Sequence, residues 1–196
     1  MEKEDFLSKE DSELIIELIE ALLHVNKREQ FFGWLQGSFQ SLLPHEILIC
    51  GARSKNRSQL HFLNFSSTRY FGDYHLKMVT NEDNGILIRL IKDWKINNRP
   101  ILIGSNLKEK KSGFYRVPFE VGLELLRETE LINIAAHGLL DNDGDVVTFF
   151  SFCRIPGEIN PRYAYLLELL VPQIHSAFLR VFRDGGNLFI DRKSVV

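Results

Sequence analysis

The chain has 196 residues, 44% of them hydrophobic and 26% charged, which is enough for one globular domain with its own core. A formal net charge of −2 excludes a basic nucleic-acid-binding surface spread over the whole domain. No run reaches about 18 apolar residues, so no membrane-spanning segment is expected, and the acidic start "MEKEDFLSKEDSE" fits neither a signal nor a transit peptide, which points to the cytoplasm.

In chain order, the spacing of Leu14, Ile15, Leu18, Ile19, Leu22 and Leu23 predicts a first helix over 12–25. Asn26 followed by Glu29 reads as a capping box that opens a second helix near Lys27. Phe31, Leu35, Phe39 and Leu42 form its apolar face, and Pro44 ends it. "EILICGA" (46–52) and "QLHFLNFSS" (59–67) read as strands joined by the polar loop "RSKNRS". The first is apolar on both faces, so its sheet is expected to be covered on both sides. Leu87, Leu90, Ile91 and Trp94 recur at helical spacing within 83–94, with Asp83 as the expected cap, and "ILIG" after Pro100 reads as a short strand. "SNLKEKKSG" (105–113) reads as a solvated loop, and Pro118 is placed to open a short helix carrying Val121, Leu125 and Leu126.

"ELINIAAHGLL" and "DVVTFFSFCRI" flank "DNDG", a hairpin signal with Gly144 left-handed in a bulged turn. Closing the pair at Asp141 and Asp145 sets His137 opposite Phe149. It also groups Asn133, His137, Ser151 and Cys153 on one face, with Ile132, Ile134, Phe150 and Phe152 on the other. The last helix takes Asn160 as its cap and Pro161 in its first turn. Tyr163, Leu167, Leu170, Ile174, Ala177 and Val181 repeat at four-three spacing, with Phe178 and Phe182 beside the seam and Pro172 as the expected kink. The order of elements gives an α+β fold: a GAF/PAS-like α-β-α sandwich with an antiparallel central sheet and helices on both faces.

Reaction chemistry is sparse. "DNDGD" begins like a calcium loop, but Val146 and Phe152 stand where that loop needs Gly and Glu. The six histidines never fall at HxH or HxxxH spacing, so no metal site and no cofactor are expected. There is no GxSxG, P-loop or GxGxxG. Cys50 and Cys153 sit in apolar strand-like runs without CxxC spacing and read as buried free thiols; the enzymatic alternatives are a Cys–His nucleophile using Cys153 and His137, and a small enzyme on the same fold such as a thiol-based reductase. The aromatic stretch "RYFGDYH" (69–75) has two readings. It grips a small ligand with a polar head, or it is a loop pinned over the core by its rings. Under the first, Tyr70, Tyr74, Trp94 and His137 are the candidate ligand-binding residues.

Several stretches together resemble the N-terminal half of LuxR-like transcriptional regulators. They are "LHVNKREQFFGWLQGSFQSLLPHEILICG" (23–51), "LIRLIKDWKINNRP" (87–100), "NIAAHGL" (133–139) and "LLELLVPQIHSAFLRVF" (166–182). The subgroup most resembled is the EpsA type associated with exopolysaccharide and exosortase loci, and the resemblance spans about 12–183. It implies a sensory and dimerisation domain, here 1–184, with a linker-like tail over 185–196. In the family a helix-turn-helix follows; "RDGGNLFIDRKSVV" stands in its place, so direct nucleic-acid binding by this chain is not expected. The acyl-homoserine-lactone branch carries a Trp and a Tyr ahead of an Asp-Pro pair. Here the corresponding acidic pair is Glu82-Asp83 with no Pro, so the lactone site is not carried over.

The leading expectation is therefore a non-enzymatic sensory and dimerisation domain of a LuxR-like regulator, forming a homodimer or pairing with a full-length LuxR-like relative. The alternative is a free-standing GAF-like small-molecule receptor. The terminal seam either covers the sheet or is partly exposed to a partner. With Leu170 and Ile174 inward and Phe178 and Phe182 outward both hold, and Ile174, Phe178 and Phe182 are the candidate dimer-interface residues.

Overall fold

The computed structural model describes residues 7–53, 60–69, 71–104 and 131–183. The loop at 105–113, the helix expected after Pro118, Tyr70 and the tail over 185–196 lie outside the described residues, as does most of the loop between the first two strands.

Helix α1 spans Lys9–Leu23 and starts one turn earlier than the apolar stripe alone indicates. Ser8 and Asp11 explain the earlier start. Asp11 N donates to Ser8 Oγ at 3.0 Å, and Ser8 N donates to Asp11 Oδ2 at 3.2 Å, so two orphan donors of the first turn are satisfied reciprocally. Helix α2 covers Arg28–Gln36. Its opening differs from the expected Asn26–Glu29 box: Gln30 Oε1 accepts from both Asn26 N and Lys27 N, at 3.0 and 3.1 Å. The helix expected to continue to Pro44 breaks at Gly37, and a separate turn of helix, α3, covers Phe39–Leu42. A Cβ at residue 37 would sit 2.7 Å from Gly33 O, so this close backbone approach requires glycine.

Strands β1 (Ile47–Arg53) and β2 (Leu60–Ser66) follow, then α4 (Asp73–Val79), α5 (Ile86–Asn97) and β3 (Ile101–Ile103). No apolar periodicity marks α4 as a separate helix. α5 opens at Gly85 rather than at Asp83. It closes on Asn98 in the left-handed conformation, φ 49°, which turns the chain directly into β3. Strands β4 (Ile134–Leu140) and β5 (Val146–Cys153) form the expected hairpin, and α6 covers Arg162–Arg183. Arg162 N donates to Asn160 Oδ1 at 3.0 Å, as the cap assignment requires.

The strands form one antiparallel sheet in the order β2-β1-β5-β4-β3, with helices on both faces: an α+β, GAF-like sandwich. On one face Leu48, Cys50, Ala52, Phe65, Ala135, Phe150 and Phe152 pack with α1, α2, α3 and α6. On the other, Ile47, Ile49, Ile101, Ile103, Ile134, Ala136, Phe149 and Cys153 pack with α4 and α5. Burial on both sides is what the unbroken apolar run of β1 demands.

Two expectations are corrected here. The hairpin closes as expected, with Asp141 N donating to Asp145 O and Leu140 opposite Val146, but the register then shifts between Leu139 and Leu140. Beyond that bulge His137 pairs with Phe150 and Gly138 with Phe149, one residue away from the expected register. Ile134 therefore shares its face with Ser151 and Cys153, not with Phe150 and Phe152. The second correction concerns the interface residues on the last helix. Ile174, Phe178 and Phe182 are all buried in the chain's own core. Phe178 meets Phe31 and Phe150 edge to face, and Phe182 meets Phe31 and Phe65. The rings of α2 and the sheet take up the surface that Phe178 and Phe182 were expected to offer a partner.

α6 is tied to α1 at both ends. Arg162 Nη1 donates to Asp11 Oδ2 at 2.8 Å. Arg180 Nε and Nη2 donate to the carbonyls of Val25 and Leu22 at 2.8 and 2.7 Å, so the open C-terminal turn of α1 is capped from outside.

Candidate functional site

One row of residues shapes the sheet face beneath α4 and α5. Phe62 on β2 stands opposite Gly51 on β1, Gly51 opposite Phe149 on β5, and Phe149 opposite Gly138 on β4. Large and missing side chains alternate across four strands. A Cβ at Gly51 would lie 2.7 Å from Phe62 Cε1, and one at Gly138 would lie 3.0 Å from both Phe149 Cδ2 and Trp94 Cη2. Each glycine thus leaves the space into which a neighbouring ring leans.

Over Gly138 that space is filled by Trp94 of α5. Its indole Nε1 donates to His137 Nδ1 at 2.9 Å, and its ring meets that of Phe149 at a centroid distance of 5.4 Å. Trp94 and His137 are both buried. Burial lowers the His137 pKa to about 4, which keeps the ring neutral and Nδ1 available as an acceptor. Two of the four candidate ligand residues are therefore brought together, but they satisfy each other inside the core. Tyr74 sits on α4 at 75% exposure, away from that pair, and Tyr70 lies outside the described residues. Within "RYFGDYH", Phe71 is buried and stacks on His75, which accepts from Gly72 N at 3.3 Å.

At the β2 side of the same face a cleft of about 640 Å³ remains open between the sheet edge, α4 and α5. Leu60, Phe62, Leu76, Ile88, Ile91 and Val146 supply its apolar surface. Arg53, Lys77, Lys92 and Lys95 bring positive charge, against Glu82 and Asp145. Volume and lining fall within the range of small-molecule sites, which run to roughly 300–1,000 Å³. None of Tyr74, Trp94 or His137 lines it. Sequence reasoning missed it because α4, which carries Leu76 and Lys77, gave no periodic signal. The alternation of Leu60 and Phe62 along β2 was the one legible sign.

The acidic turn closes one end of the cleft as a charge cluster. Asp141 Oδ1 accepts from Asp143 N and Asp145 N at 3.0 and 2.8 Å, and its other oxygen accepts from Arg53 Nη2. The Arg53 hydrogen bond, with those backbone donors, holds the Asp141 carboxyl below the usual range. Asp145 bridges Arg53 and Lys95 at 3.3 and 2.9 Å. Each oxygen of Asp141 has a backbone or guanidinium partner, so the turn is a structural knot. Among the described residues no group of three or more metal-ligating side chains is gathered.

Neither thiol is placed for chemistry. Cys50 and Cys153 are fully buried. Burial raises the Cys153 pKa to about 12, against a smaller opposing effect from Ser151, and pushes Cys50 up as well. A nucleophilic thiol needs the thiolate, so the thiol-reductase reading fails. No helix among the described residues is long and apolar enough to cross a membrane.

No protein-family model matches the chain, and no curated protein does. Similarity is found in solved structures. One is an N-acylhomoserine-lactone-dependent LuxR-family transcription factor, CepR2, from Burkholderia cenocepacia: TM-score 0.54, 11% identity, 87% of this chain and 93% of that one covered. A second is Escherichia coli SdiA: TM-score 0.56, 12% identity, 93% and 72% covered. A third is a far-red absorbing dark state with bound biliverdin IXa: TM-score 0.56, 14% identity, 84% and 97% covered. At these identities the shared property is the fold.

Proposed function

We propose that this chain is a small-molecule sensory domain of the LuxR-like kind, without enzymatic activity, whose ligand occupies the cleft between β2, α4 and α5. The carrying observation is that cleft: about 640 Å³, apolar on the sheet and helix surfaces and charged at its edge, on a fold shared with a lactone-dependent factor and a biliverdin-binding protein. The stretches that resemble LuxR-like regulators support a role in transcription regulation. The test is co-purification. Mass spectrometry of the denatured protein should release a stoichiometric small molecule from the native chain, and none from an Ile88→Trp variant whose indole fills the cleft. Equal recovery from both proteins, or no recovered molecule from any expression host, overturns the reading.

A homodimer belongs to the same proposal, through a surface other than Ile174, Phe178 and Phe182. The exposed large apolar side chains of α1 and α6 are Ile16, Leu23, Tyr165 and Leu169. The two helices lie side by side, joined through Arg162 and Arg180, so these side chains belong to neighbouring elements.

A further inference from the structure

We infer that the ligand of this cleft is a carboxylate-headed amphiphile, its apolar body on Phe62, Leu76, Ile88 and Ile91 and its head at Lys77 and Lys92. This rests on the cleft being the ligand site and names the chemistry it selects. The first observation is a reversal of charge. The chain as a whole carries −2, whereas the cleft lining holds four Lys and Arg side chains against two carboxylates.

The second observation is how those charges are used. Asp145 is shared by Arg53 and Lys95, and Arg53 is held again by Asp141. These two cations are neutralised by the β4–β5 turn. Among the described residues no carboxylate forms an ion pair with Lys77 or Lys92. Lys77 lies in the last turn of α4 and Lys92 in the middle of α5, so the surplus charge sits on the two helices that flank the opening. Lysine stems lie along apolar surface while their ammonium groups stay wet, which suits a head at the mouth and a body within.

The third observation is the polarity of the floor. Phe62 leans into the space left by Gly51, and Thr80, the hydroxyl in the lining, donates to Leu76 O at 2.7 Å. With that hydroxyl engaged, the described lining offers the ligand mainly apolar contact, with His61 its other uncharged polar side chain and the charged groups Lys77 and Lys92 on the flanking helices.

The experiment is calorimetric titration of the full chain with octanoate, 1-octanol and octyltrimethylammonium, each below its micelle concentration. Octanoate should bind with 1:1 stoichiometry, about fivefold more tightly than octanol, with no binding of the cation. A Lys77→Gln/Lys92→Gln variant should weaken octanoate about fivefold and leave octanol unchanged, since two exposed ion pairs contribute modestly and are screened by salt. Equal octanoate affinity in native and doubly substituted protein overturns the head-group assignment. If octanol binds as tightly as octanoate and Ile88→Trp abolishes both, the cleft survives as the ligand site while the anionic ligand is refuted. If no probe binds, both readings fall.

Discussion

Gly51 and Phe62 face each other across β1 and β2, and the Phe62 ring edge lies 2.7 Å from where a Gly51 Cβ would stand. The phenyl ring that floors the cleft therefore keeps its position only while residue 51 has no side chain. Gly51→Ala must displace the ring. Overpacking of this kind costs roughly 1–3 kcal/mol. The expected outcome is a lower urea midpoint together with weaker binding of any cleft ligand.

Gly33→Ala is the opposite case. It lies within α2, and a Cβ there meets nothing within 4 Å. Replacing a helical glycine in open space should stabilise the chain by about 0.5–1 kcal/mol, read as a higher urea midpoint at unchanged slope.

The Trp94–His137 hydrogen bond is buried at both ends. His137→Phe strands the indole N–H, at a cost of about 1–3 kcal/mol. Trp94→Phe combined with His137→Phe removes donor and acceptor together, and the pair should cost measurably less than the sum of the single changes. A double-mutant cycle by chemical denaturation reads the coupling.

Two buried histidines set an acid limit. Burial lowers His45 and His137 from 6.5 to about 4, opposed at His45 by a hydrogen bond to Leu43 O. Both rings are neutral when folded and protonate more readily when unfolded. Their contribution is complete above pH 6.5, falls as pH drops through the window from 6.5 to about 4, and is gone below it. Each contributes up to about 3 kcal/mol of that loss. Urea midpoints measured across the window should decline, and the folded-state imidazole resonances of both residues should stay in the neutral form until pH nears 4.

Core and surface positions of α6 should separate in solution. Phe178→Ala opens a cavity among Phe31, Phe150 and Phe182 and should cost about 3–5 kcal/mol. Leu169→Glu lies on exposed surface and should leave the midpoint nearly unchanged. Sedimentation velocity then tests the proposed homodimer: Leu169→Glu combined with Ile16→Glu should yield monomer where the native chain yields dimer.

The α+β plan, the strands β1, β2, β4 and β5, the hairpin turn and the long terminal helix with its Asn160 cap are legible in the order of the amino acids. Each of these is written in the spacing of apolar residues and in turn and cap residues a few positions apart, and such signals act between near neighbours on one segment. The remaining features come from contacts between distant segments. The bulge at Leu139 and Leu140 moved His137 by one partner, because register beyond a turn is settled by which side chains fit between sheet and helices. Phe178 and Phe182 turned inward because Phe31 and Phe65 arrive from distant segments to meet them. The cleft opens where Leu60 and Phe62 of β2 face α4 and α5, segments that only folding brings together, whereas over Gly138 on the same sheet face Trp94 fills the space.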